Sequence, residues 1–140
     1  MKKTNMLQLL VAMVIAIVFL AGNTVLAQAK AKPWVVPAAD KAMKPTVKLA
    51  DAKVIAGGKE LWMKHCKSCH GGTGKGDGTK AAGLNTLPGD FTTAAFQAQT
   101  DGEMFYKVNK GREDMPAFGK KIPDAADAWS LVAFMRTLKK

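Results

Sequence analysis

Cysteine and histidine are scarce: among 140 residues there are two of each, Cys66 and Cys69, His65 and His70. Two cysteines three apart have a spacing typical of redox motifs rather than of disulfide staples, and the four residues lie too close along the chain to close a tetrahedral zinc site easily. Acids are few as well, 11 against 21 lysines and arginines, which gives a formal charge of +10. No internal repeat is present, and no run alternates apolar and polar residues well enough to predict a sheet. Twin arginines are missing from the N-terminus, so a twin-arginine export route is not indicated. The glycine-rich stretch Gly71–Gly78 lacks a Gly-Lys-Ser/Thr ending and follows no strand, so it is not a phosphate loop.

With 48% apolar and 23% charged residues, the composition is that of a globular protein with room for one core. Lys2 and Lys3 precede an apolar run from Leu9 to Ala21, followed by Gly22, Asn23 and Val25-Leu26-Ala27. Residues 1–27 thus read as a secretory signal peptide, and a periplasmic or otherwise exported protein is expected. Leu7 to Ala27 could reach across a bilayer if left uncleaved, so a membrane anchor is the alternative. Cleavage removes two lysines and no acid, leaving +8 on the mature chain. Nucleic acid is disfavoured as a partner, because export removes the protein from it and no basic helix with stacking aromatics is visible.

Residues 28–52, with Pro33, Pro37 and Pro45, read as an extended strap or linker; Trp34 either docks on the fold or belongs to a disordered leader. The domain follows, at 53–140. A helix is predicted from near Val54, where Val54, Gly58, Leu61, Trp62 and His65 recur at helical spacing. Thr100-Asp101-Gly102-Glu103 has the form of a capping box, starting a second helix that Gly111 ends. A third begins after Pro123 with Asp124 at its cap and carries Trp129, Leu131, Val132, Phe134, Met135 and Leu138. The fold class expected is mainly α.

Chemistry concentrates at Cys66-Lys67-Ser68-Cys69-His70. Cys-x-x-Cys-His is the attachment pattern of c-type haem: two thiols at this spacing can bond two vinyl groups, and the next residue reaches the iron. A structural disulfide competes for the thiols, although this spacing is typical of redox motifs; a thioredoxin-like site would want a βαβ context that is not visible.

From about Val54 to Leu138 the chain resembles class I c-type cytochromes, with Gly58-x-x-x-Trp62-x-x-x-Cys66-x-x-Cys69-His70 near the start and Leu131-Val132-Ala133-Phe134-Met135-Arg136 near the end. The resemblance implies a small cytochrome c fold in which N- and C-terminal helices cross around one covalently bound haem, Gly58 letting the backbones approach while Trp62 and Phe134 fill the crossing. It implies His70 as the proximal iron ligand. His65 stands beside an attachment cysteine and cannot reach the far face, so a methionine is expected as the sixth ligand. Met63, Met104 and Met135 read as core, and Met43 lies in the strap. Met115 sits in the polar stretch Gly111-Arg112-Glu113-Asp114-Met115-Pro116, which resembles the family's ligand loop; Met104 is the reserve. A proline carbonyl commonly orients the proximal histidine in this family, making Pro88 the candidate, against a plain turn at Pro88-Gly89. Arg112, Lys75 and Trp129 are candidates for the haem propionates.

A closed His/Met iron leaves a substrate nowhere to bind, so an electron carrier is expected rather than an enzyme. Lys64, Lys67, Lys75, Lys110, Lys120 and Lys121 could steer redox partners with acidic docking surfaces toward a monomeric carrier. Two alternatives remain: a haem subunit or docking module of a larger membrane oxidoreductase, and a ligand sensor or enzyme with a displaceable Met115.

Overall fold

The computed structural model describes Asn5 and residues 32–140, so the expected signal segment lies, Asn5 apart, outside the described residues. In chain order the helices are α1 Ala38–Lys41, α2 Ala52–His65, α3 Lys67–His70, a 3-10 turn at Ala81–Gly83, α4 Ala94–Gln97, α5 Asp101–Lys110 and α6 Ala125–Thr137. Among the described residues there is no strand, only an isolated bridge between Arg112 and Met115. No described helix is long and apolar enough to cross a membrane.

Each long helix starts where a side chain can accept the first free amides. Asp51 accepts from Lys53 N at 2.8 Å and Val54 N at 3.4 Å, opening α2. The capping box at α5 is complete: Glu103 N donates to Thr100 Oγ1 at 3.1 Å, and Thr100 N donates to Glu103 Oε2 at 2.8 Å. Asp124 accepts from Ala126 N at 2.8 Å to open α6.

The most extensive helix contact joins α2 to α6. A Cβ added at Gly58 would lie 1.9 Å from the Ser130 carbonyl oxygen and 3.1 Å from Leu131 N, so the two backbones touch there. Next to this contact Trp62, 1% exposed, packs on Phe134 with ring centroids 5.6 Å apart. The crossing implied by the sequence resemblance is therefore built as expected. Gly58→Ala gains about 1 kcal/mol of helix propensity. Overpacking against a backbone that cannot rotate away costs about 1–3 kcal/mol or more. A net loss of up to about 2 kcal/mol is expected in urea unfolding of the haem-loaded protein, and a raised midpoint would refute the close approach.

On the other side of α6, Trp129 is 1% exposed and stacks on Phe105 of α5 at 4.1 Å. It is a core residue, and its ring face is taken up by this packing. Arg136 ties the domain together at the end of α6, donating to Asp101 Oδ1 at 2.8 Å, Gln97 O at 2.7 Å and Gln99 O at 2.7 Å.

The strap is docked where it is described. Val36 is buried, and the α1 carbonyl of Asp40 approaches Gly102 so closely that an added Cβ would lie 2.2 Å from it. Thr100 Oγ1 donates to Lys41 O at 2.9 Å, and Lys41 Nζ pairs with Glu103 Oε1 at 3.3 Å. Lys107 Nζ and the Arg112 guanidinium stand 5.6 Å and 4.6 Å from the centroid of the Trp34 ring. Arg112 also donates to Lys32 O at 2.6 Å. Both contacts engage its guanidinium with the strap.

Candidate functional site

Cys66 ends α2 and begins α3 with φ −113° and ψ −33°, a break that starts a new single turn. His70 N and Cys69 N both donate to Cys66 O, at 2.9 and 3.2 Å. Cys66, Cys69 and His70 thereby share one helical face, since residues three and four apart lie above one another. Both thiols are free and half-buried, so the disulfide alternative is not what this structure forms. Burial, with Cys69 adding to it, pushes the Cys66 thiol up to about 12. A thiol held protonated is a poor redox nucleophile, unlike the attacking cysteine of a thioredoxin-type site.

The imidazole of His70 lies 4.8 Å from the Phe91 ring and 5.7 Å from Trp62. Trp62 Nε1 donates to Gly71 O at 2.9 Å and so fixes the indole against the end of α3. Burial pulls the imidazole down to about 4, which leaves it neutral at pH 7 with a lone pair to offer a metal. His70 Nδ1 is the one buried side-chain nitrogen or oxygen without a hydrogen-bond partner among the described residues. A buried polar atom left unpaired costs about 1–3 kcal/mol. Two free thiols, a neutral imidazole and this unmet nitrogen on a single turn fit covalent haem c.

Glycines let the following loop fold back under α3. Gly71, Gly74 and Gly76 have φ of 78°, 72° and 76°, the left-handed region that glycine enters without penalty. The loop amides close off the α3 carbonyls: Gly76 N to His70 O at 2.9 Å, Gly78 N to Cys69 O at 3.1 Å, Lys80 N to Ser68 O at 2.8 Å. The amides of Gly76 and Gly78 are thus occupied.

Pro88 is brought to this segment. Its carbonyl oxygen lies 2.2 Å from where a Cβ on Gly76 would be, and the expected hydrogen bond from His70 Nδ1 is not formed. Gly76, itself bonded to the His70 carbonyl, is the neighbour against which the Pro88 carbonyl packs.

Met104 is 2% exposed in the core, which leaves the reserve ligand committed to packing, whereas Met115 is half-buried. Met63, expected to pack on α2, is instead 43% exposed. Met115 closes a two-residue reversal in which Arg112 N donates to Met115 O at 2.7 Å and Met115 N to Arg112 O at 2.8 Å. Within it Glu113 has φ 51°, a conformation that costs a non-glycine residue about 1–3 kcal/mol and persists only when surroundings hold it. Those surroundings come from a segment that sequence reading did not single out. Asp114 accepts from Asn85 N at 2.8 Å, Asn85 Nδ2 at 3.1 Å and Thr86 N at 3.2 Å, and Thr86 Oγ1 donates to Glu113 Oε2 at 3.3 Å. Beyond the reversal, buried Phe118 reaches His65 with ring centroids 5.9 Å apart, linking the Met115 segment to the attachment end of α2.

None of the curated proteins matches the chain. Among solved structures, a chain of the Kuenenia stuttgartiensis reducing HAO-like protein complex Kustc0457/Kustc0458 is similar, with TM-score 0.58 and 25% identity. The match covers 69% of this chain and 51% of that one, so this chain spans about half its length. Residues 53–135, more than half of the chain, match the family model described as cytochrome C oxidase, cbb3-type, subunit III. With a Cys-x-x-Cys-His turn set beside a glycine-mediated helix crossing, the chain belongs to that family and is a c-type cytochrome.

Proposed function

We propose that the protein is an exported electron carrier that holds one haem c through Cys66 and Cys69, with His70 and Met115 as axial ligands to its iron. The observation that carries this reading is the α3 turn, where two free thiols and a neutral, half-buried imidazole share a face. When bound, haem supplies a one-electron Fe(III)/Fe(II) couple whose potential a thioether ligand raises relative to a second imidazole.

The chain's own residues prepare for that exchange. Trp62 and Phe91 pack on the His70 ring, limiting its movement and keeping water from it. Cys66 and Cys69 provide thiols at a fixed separation of one helical turn. Met115, on a short braced hairpin, offers a soft sulfur that need not rearrange between oxidation states. Lys2, Lys3 and the apolar run that follows support export, and the charge left after cleavage favours acidic partners. Lys64, Lys67, Lys75, Lys110, Lys120 and Lys121 are all exposed, as a docking surface requires.

The test is a pair of visible spectra, oxidised and reduced, of protein matured in an exporting host, followed by carbon monoxide. A six-coordinate spectrum that carbon monoxide leaves unchanged is expected; ready binding would favour the sensor or enzyme reading. Electron exchange with an acidic redox partner is expected to slow as salt shortens the screening length from about 30 Å at 0.01 M to about 8 Å at 0.15 M. Stopped-flow rates that do not respond to salt would remove the electrostatic part of the proposal and spare the haem.

A second reading is favoured by the family description and by the similar chain's place in a complex: the haem serves as one station inside a larger oxidoreductase. Co-purification from host membranes with other redox subunits would select it.

A further inference from the structure

We propose that Asp114 is a positioning residue for Met115, fixing the methionine by bracing its hairpin against the Asn85-Thr86 backbone. The inference rests on the reading of Met115 as an axial ligand and deepens it. One carboxylate oxygen accepts from two consecutive amides, Asn85 N at 2.8 Å and Thr86 N at 3.2 Å, while the other accepts from Asn85 Nδ2 at 3.1 Å. Hydrogen bonds to a charged acceptor are among the stronger ones in a protein. These three join segments 28 and 29 residues apart, so they are tertiary and not part of the turn itself.

The hairpin needs such a brace. Glu113 holds a left-handed φ of 51° with a full side chain, and the Arg112–Met115 pair alone closes the reversal. On the other flank Arg112 is held by Trp34 and the Lys32 carbonyl. Asp114 is the residue immediately before Met115, and Met115 N is tied into the same closed ring. A shift at the carboxylate therefore moves the backbone from which the sulfur hangs. Released, the hairpin can relax Glu113 and withdraw the thioether.

The test uses the haem-loaded protein and compares the parent with Asp114→Ala, Asp114→Asn and Met115→Ala. In Asp114→Ala the weak long-wavelength band of methionine on ferric iron is expected to fade on mild warming. The reduced form is expected to take up carbon monoxide at about one tenth of the concentration the parent requires. Amide exchange at Asn85 and Thr86 is expected to quicken by at least roughly tenfold. Asp114→Asn keeps an oxygen for both backbone amides and is expected to restore the band. Faster amide exchange with the band and carbon monoxide response of the parent would show a brace that positions nothing, and would overturn the proposal. A Met115→Ala protein with an unaltered band would instead overturn the axial reading itself, which separates the two failures. Should Asp114→Ala not load haem, Asn85→Ala removes a single donor and is expected to raise carbon monoxide uptake by about twofold; no change there would also overturn it.

Discussion

Alanine at both Cys66 and Cys69 is expected to give an exported chain with no covalently bound haem, seen as loss of haem stain on a denaturing gel and as the mass of the bare polypeptide. The expectation is all-or-none because the sequence contains no third cysteine to take over either bond. Each single variant keeps one thiol on the α3 turn and is expected to retain haem at reduced yield. The effect reaches the fold as well. His70, Trp62 and Phe91 form one ring cluster, and His70 Nδ1 has no hydrogen-bond partner among the described residues. Without the prosthetic group that cluster loses a surface to pack on, so lower thermal stability should accompany the loss of stain. Haem stain surviving in the double variant would sink the attachment site outright.

Met115→Ala is expected to leave the covalent haem in place while opening the iron. Its marks are loss of the long-wavelength ferric band, uptake of carbon monoxide by the reduced protein, and a fall in reduction potential. Axial ligands spread haem potentials over about 0.8 V, so a drop on the order of 0.1 V or more is expected. Met104→Ala is the matched comparison. Its side chain is 2% exposed in the core, and truncation there costs about 2–5 kcal/mol of stability with no spectral change expected. If the two variants exchanged these phenotypes, Met104 would take the ligand role.

Local chemistry explains which elements could be read in advance. The Thr100–Glu103 box and the Asp124 cap are encoded within three residues, so α5 and α6 begin where the sequence indicates. Gly58 and Trp62 could be placed at the helix crossing because a resemblance spanned both helices. One-turn helices are different. The α1, α3 and α4 segments are four residues each, too short for periodicity, and α1 is held by contacts to Thr100 and Gly102 far along the chain. The Asp114 brace left no local trace either, since an acid in a polar loop is ordinary until Asn85 and Thr86 are brought beside it. Pro88 shows the opposite failure: its neighbourhood was foreseen, and the atom it meets was not. Trp129 was foreseen on the right helix, but its stacking partner was not, because nothing in the sequence pairs it with Phe105.

The bond from Arg112 to the Lys32 carbonyl bears on orientation. Lys32, where the described strap begins, is thereby held beside the Met115 hairpin. Any upstream mooring would hold the molecule by that flank and turn the opposite flank outward. A short leash of this kind would restrict which part of the surface meets a mobile partner, independently of charge.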